Sequence, residues 1–169
     1  MAYIDILLKD NKYKQDLDTL CALEANRVFC GHDLNHFQEV SRIARIINRE
    51  NNLGIDDDVI DLCAYLHDMG RIREYNEGVN HHDAAYEYGK NMMENLDVPV
   101  NVMEEVLSGI RHSRHRFDAK ERFDNRHELK NLDDIISFAD HFSRKCFHCE
   151  AASDCKWTQG QRIMREYFD

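Results

Sequence analysis

Proline and glycine are scarce in this chain: one proline and seven glycines among 169 residues. So few punctuating residues exclude a fold of many short strands and tight turns. Positive charge is also short. Lys and Arg number 22 against 32 Asp and Glu, a formal net charge of -10, which speaks against general binding of nucleic acid or of an anionic membrane; any anionic substrate must meet a local basic patch. No apolar run approaches the roughly 20 residues that span a bilayer. The opening Met1-Ala-Tyr-Ile-Asp-Ile-Leu-Leu-Lys9 lacks the basic start and the length of a secretion signal, so the chain reads as soluble and cytoplasmic. Without that signal, the six cysteines read as reduced thiols or metal ligands rather than a disulfide framework. Neither a Gly-rich phosphate loop nor a Ser/His/Asp nucleophile motif is found.

What the chain does have is a hydrophobic period near 3.6, and 43% hydrophobic residues at this length suit a single domain over residues 1–169. The fold class is all-α. A first helix is predicted from Tyr13 to about Cys30, with Leu17, Leu20, Leu23 and Val28 on one side and Gly31 as its stop. Asp33 caps a second, which runs to about Asn52 with Phe37, Val40, Ile43, Ala44 and Ile47 inward. Asp56, Asp57 and Asp58 make the acidic first turn of a third, broken at Gly70. After a loop through Asn76-Glu77-Gly78, helices are expected from about His81 to Asn95 and from Pro99 to about Arg111. The charged stretch Ser113 to Lys130 reads as an exposed loop with room for a short helical turn, the candidate lid or variable insert. Asn131 or Asp133 caps a helix with Ile135, Ile136, Phe138, Ala139 and Phe142 that reaches about Lys145. A last helix spans Trp157 to Phe168.

Polar residues stand where the core should be. His67 and Asp68 close an apolar run containing Leu62, Cys63, Leu66 and Met69, His36 lies one turn before Val40, and Asp140 sits inside the Ile135 to Phe142 stripe. A buried imidazole beside a buried carboxylate needs a partner. Two imidazoles with two carboxylates suit a divalent ion with positions left open to water; the competing reading of His67-Asp68 is a buried salt bridge. A second His-Asp pair, His32-Asp33, falls at a helix start, where Asp33 as an N-cap accounts for it without a metal.

Three segments carry a resemblance: His36-Phe-Gln-Glu-Val-Ser-Arg-Ile-Ala44, Ala64-Tyr-Leu-His-Asp-Met-Gly-Arg71 and Ile136-Ser-Phe-Ala-Asp-His-Phe-Ser-Arg144. In order and surroundings they resemble the HD-domain metal-dependent phosphohydrolase superfamily, in its small stand-alone form. The resemblance implies an HD-domain-like helical bundle with a metal site between helices. The motif-bearing core covers about residues 33–145, and a Cys-containing helical tail covers 146–169. It implies that His36, His67, Asp68 and Asp140 bind a divalent ion, with Mn, Fe, Mg, Co, Ni and Zn not distinguished. Binuclear members add histidines after the His-Asp pair and bridge their ions through its Asp. Here His81 and His112 resemble those positions, with His82 and His115 as the alternatives; the other reading is that His81 and His112 line the pocket and touch substrate phosphate.

By the same resemblance Asp68 and Arg71 are the candidate catalytic residues. Arg71 occupies a position where many members carry a basic residue, and an always-protonated guanidinium suits a phosphate oxygen pair rather than base catalysis. Arg144 and Lys145 beyond Asp140, with Arg111 and Arg114 around His112, are candidates to complete a basic pocket. The implied activity is hydrolysis of a small phosphate ester, nucleotides included, by metal-activated water. Two alternatives stand beside it: a di-iron oxygenase, which needs six ligands, and a non-catalytic metal-binding or sensing module. Finally, Cys146 and Cys149 have the spacing of half a zinc site, which Cys155 and His148 would complete; ordinary core thiols are the competing reading.

Overall fold

Six of the helices open on a side chain that accepts from their own first turn: Asp10 from Tyr13, Asp33 from His36, Asp56 from Asp58, Asn80 from His82 and Asp83, Asp118 from Glu121 and Asn131 from Asp134. Each cap satisfies a backbone N–H that the helix cannot. The computed structural model describes residues 2–112 and 118–167, which contain nine α-helices and no strand. They are α1 (Tyr3–Leu7), α2 (Asn11–Leu23), α3 (Leu34–Glu50), α4 (Asp57–Leu66), α5 (Arg71–Glu77), α6 (His81–Asn95), α7 (Val100–His112), α8 (Ala119–Asp124) and α9 (Leu132–Phe142). None of them is long and apolar enough to cross a membrane.

The centre of the bundle is α4, in which every residue from Val59 to Leu66 is buried. A helix buried on every side has to be surrounded, and α1, α3, α7 and α9 pack against it. α3 and α9 also pack on each other, and the inward stripe of α3 is Phe37, Val40, Ala44 and Ile47, as expected. His67 and Asp68 follow directly on the C-terminal end of α4, so the best-packed helix of the fold delivers them. Gly70 then lets α5 and α6 approach: a Cβ there would lie 2.1 Å from the His81 carbonyl oxygen and 2.2 Å from the Ala85 nitrogen.

Several expectations are corrected. The first predicted helix ends at Leu23, not near Cys30, because the Glu24 carboxylate turns to accept from the His32 N–H and Arg27 donates to the Cys30 carbonyl; Val28 is 69% exposed rather than inward. The stretch after Gly70 is helical, as α5, with Gly78 in the left-handed conformation as its stop. Between Ser113 and Lys130, residues 113–117 lie outside the described ones; the remainder forms α8 and a 3-10 turn, Arg126–Glu128, and buries Ala119 and Arg122. α9 ends at Phe142, short of Lys145. No final helix forms over the described part of Trp157 to Phe168. Residues 146–167 run as four single 3-10 turns with only Ile163 fully buried, since that stretch has no apolar stripe to bury against the bundle.

Candidate metal centre

Four predicted ligands converge. Donor atoms of His36, His67, Asp68 and Asp140, from α3, the end of α4 and α9, all lie within 4.8 Å of one another. His36 Nε2 is 3.4 Å from Asp140 Oδ1 and 3.8 Å from Asp68 Oδ2, while His67 Nε2 is 3.2 Å from Asp68 Oδ2 and 3.9 Å from Asp140 Oδ1.

A further imidazole borders these four: His32, the histidine set aside as part of an N-cap. Asp33 does cap α3, accepting from the His36 N–H at 2.9 Å. The His32 ring, however, is buried, and its Nε2 stands 3.4 Å from Asp68 Oδ2. The orientation of all three rings is set at Nδ1. His32 Nδ1 meets Glu24 Oε1 at 2.6 Å and His67 Nδ1 the Ala64 carbonyl at 2.8 Å. His36 Nδ1 faces Ser143 Oγ at 3.3 Å, and that hydroxyl spends its own proton on the Asp140 carbonyl at 2.8 Å. Each acceptor holds the ring proton on Nδ1 and leaves an Nε2 lone pair pointing inward. The three Nε2 atoms are buried and have no hydrogen-bond partner. Three ring nitrogens and two carboxylates facing one another form a donor set that calls for positive charge among them, a proton or a metal ion.

Without an ion, a proton on His67 takes part of that place, and a metal ion would displace it. Burial alone would push His67 down, but Asp68 and Asp140 outweigh it and push it up to about 10. Burial holds His36 down at about 4 against the pull of Asp140. Despite their own burial, Asp68 is held well below the carboxylate range, chiefly by Arg71, and Asp140 likewise by Arg144.

Arg71 does not reach freely into solvent as a phosphate clamp. Its Nε donates to Asp68 Oδ1 at 2.9 Å, its Nη1 to Glu74 Oε2 at 3.0 Å, and its Nη2 lies 3.4 Å from His81 Nε2. His81, whose Nδ1 is 3.1 Å from Glu74 Oε1, is 3.9 Å from Asp68 Oδ1. His82 packs its ring 4.0 Å from that of His81. The side chain of His112, and all of Arg114 and His115, lie outside the described residues.

These groups open on a cavity of about 560 Å³, lined by Arg71, His81, His82 and Arg144 of the sequence candidates. Arg111 and Lys145 are not brought to it. The Arg111 guanidinium lies 4.4 Å over the Tyr86 ring, a cation–π contact that holds it elsewhere, and Lys145 is exposed on the side of Glu39. Cys146, Cys149 and Cys155 do line the cavity, joined by Cys30, yet they form no metal-ligand cluster among the described residues. The 3-10 turn Cys146–His148 gives way to extended backbone at Cys149, so these thiols do not share a helix face either.

Sequence reasoning missed Glu24, His32 and the cavity wall formed by Lys156, Trp157 and Arg162. The one available signal for His32 was its position four residues before His36.

The buried Glu24–His32 pair has a pH signature. Against the opposing effect of burial, His32 and Tyr75 pull Glu24 from 4.5 down to about 2. A depressed carboxyl contributes stability above its unfolded value, and that contribution is lost as pH falls through the folded one. Glu24→Gln is therefore expected to destabilise the ion-free protein by about 1–2 kcal/mol at neutral pH, with the difference from wild type vanishing between pH 4.5 and about 2. Urea unfolding across that range checks it; a pH-independent difference would contradict the assignment.

The family model of the HD domain matches residues 33–145. A protein of Clostridium beijerinckii (strain ATCC 51743 / NCIMB 8052), described as uncharacterized, is 30% identical over 168 residues, covering 99% of this chain and 100% of the relative. No solved structure matches. With the matched segment containing His36, His67, Asp68 and Asp140, and those four converging between helices, the chain belongs to the HD domain family, a superfamily of the metal-dependent hydrolase type.

Proposed function

We propose that this protein hydrolyses a small phosphate ester, nucleotides included, with one divalent ion. The observation that carries the reading is the set of three buried, unpartnered imidazole Nε2 atoms around Asp68 Oδ2. His36, His67, Asp68 and Asp140 would hold the ion, with His32 as an added donor fixed by Glu24. Bound there, a divalent ion supplies Lewis acidity toward a phosphoryl oxygen and acidifies a water molecule.

The chain's own groups do the rest. Arg144, braced on Asp140 Oδ1 at 2.7 Å, and Arg71 place positive charge beside the cavity, where charge builds on the equatorial phosphoryl oxygens. Asp68 is held too acidic to serve as the proton acceptor. His81, kept neutral by burial and Arg71, has its Nδ1 against Glu74 and its Nε2 against Arg71 Nη2, so it positions the Arg71 guanidinium rather than taking the water proton.

A single ion is favoured over two because Arg71 takes the second place. In a bridged pair the other Asp68 oxygen would bind the second ion together with His81. Here Arg71 Nε sits on Asp68 Oδ1 and Nη2 beside His81 Nε2, so a fixed guanidinium stands between them. The same contact disfavours the di-iron oxygenase reading.

Calorimetric titration of the chelator-treated protein with Mn²⁺ tests both points. The expected result is one ion per chain, phosphate release restored by it, and about 10–100-fold weaker binding in His32→Ala. Two ions per chain would contradict the single-ion reading. A fully loaded protein with no turnover across a broad panel of phosphate esters would leave the non-catalytic module.

A further inference from the structure

The far wall of the cavity comes from outside the matched domain. Beyond residue 145 the chain crosses back to the metal centre and brings Lys156, Trp157 and Arg162 to the same cavity that Asp68 and Arg144 line. This crossing is built and anchored. His141 on α9 is 2.7 Å from the Gln161 carbonyl through Nε2, Thr158 and Gln161 form a reciprocal cap, and Ile163 is fully buried. Trp157 stands edge-on to His141, ring centres 4.8 Å apart, and carries the Arg144 guanidinium 5.2 Å above its face.

Arg144 and Arg162 both line this space. Arg144, with 10% of its side chain exposed, spends Nη2 on Asp140, while its Nε is buried and unpartnered. The Arg162 Nε is likewise buried without a partner. Those two Nε atoms are closed to solvent, but both guanidinium groups border one cavity, and a cavity bordered by cations with N–H groups to spare favours an anionic acceptor from solvent. Charge selects its kind. In a chain of net charge -10, the crossing segment sets Lys156 and Arg162 on the cavity against one carboxylate, Asp154.

We infer that Arg162, with Arg144, forms a distal anion subsite that receives a second phosphoryl group of the substrate, beyond the one attacked at the metal centre. This inference rests on the phosphohydrolase reading and deepens it: the preferred substrates carry linked phosphoryl groups, and the residues that select them lie in the C-terminal crossing. Arg162 is a specificity residue, since it makes no contact with the four converging metal ligands.

The test is calorimetric titration of the Mn²⁺-loaded protein with inorganic phosphate, inorganic pyrophosphate and methylene bisphosphonate, which has two linked phosphoryl groups and no cleavable bridge. The expected result is that Arg162→Ala weakens pyrophosphate and the bisphosphonate about 10–50-fold, while phosphate affinity and Mn²⁺ stoichiometry stay within about twofold of wild type; Arg162→Lys falls between. Equal weakening of all three anions, or of none, overturns the subsite. Because the bisphosphonate is never cleaved, the subsite is read independently of turnover: absence of hydrolysis with any phosphate ester would overturn the hydrolase reading, and the anion titrations would still decide whether Arg162 discriminates.

Discussion

Asp68→Ala is expected to remove the divalent ion and phosphate-ester hydrolysis together. Its carboxylate is the hub of the site. Oδ2 faces His32, His36 and His67 at 3.4, 3.8 and 3.2 Å, and Oδ1 accepts from Arg71 at 2.9 Å. Without it the three imidazole lone pairs lose the charge that draws a cation among them, and Asp140 alone remains. Loss of the ion removes several kcal/mol of transition-state stabilisation, on the order of a thousandfold or more in rate. The substitution also leaves Arg71 buried without its main partner, which is destabilising in its own right. Asp68→Asn, of the same shape, separates the two effects: it keeps a hydrogen-bond acceptor for Arg71 but not the charge. Elemental analysis and phosphate release, measured on protein whose folding is checked by circular dichroism, give the answer. Full metal occupancy in either variant would refute the assignment.

The second large effect concerns no chemical group at all. Gly70→Ala is expected to cost about 3–5 kcal/mol. The backbone conformation of Gly70, φ -65° and ψ -13°, is one any residue adopts, so the effect is steric and not conformational. The added methyl would meet the His81 carbonyl oxygen at 2.1 Å and the Ala85 nitrogen at 2.2 Å. Both are backbone atoms, which no rotamer change relieves. To make room, α6 must back away from α5, drawing His81 off Arg71 and Glu74. Gly78→Ala is the comparison: Gly78 has φ 73° and nothing within 4 Å of an added Cβ, so it incurs the smaller strain of a left-handed residue, about 1 kcal/mol. A melting temperature for Gly70→Ala equal to that of Gly78→Ala would show that the packing between α5 and α6 is looser than described.

The contrast between these residues explains what could be read in advance. Periodic burial made α3, α4, α6, α7 and α9 legible, because Phe37, Val40, Ala44 and Ile47, or Ile135, Ile136 and Phe142, repeat at the spacing of a helix face. His36, His67, Asp68 and Asp140 were legible because each interrupts such a stripe. α5 was not, since Arg71–Glu77 contains no buried residue; it is helical through Gly70 docking, Gly78 termination and the Arg71–Glu74 pair. His32 was hidden because its ring enters from irregular chain, held by Glu24 eight residues upstream, and no local period records such a contact. The C-terminal crossing failed for a related reason. A helix was expected from Trp157 to Phe168, but Trp157 and the cysteines before it line a cavity, and a cavity wall imposes no repeat.

The chain divides the labour between stretches with different freedom to vary. The four converging residues come from helices packed into the core, so few substitutions there leave the donor cluster intact. The crossing segment is pinned mainly by Ile163 and by the His141 contact to a backbone carbonyl, a bond that does not depend on which side chain position 161 carries. Between those pins, exposed residues can be exchanged with little penalty in folding. Selection can therefore retune what the cavity admits, over evolutionary time, without first dismantling the cluster of donors beneath it.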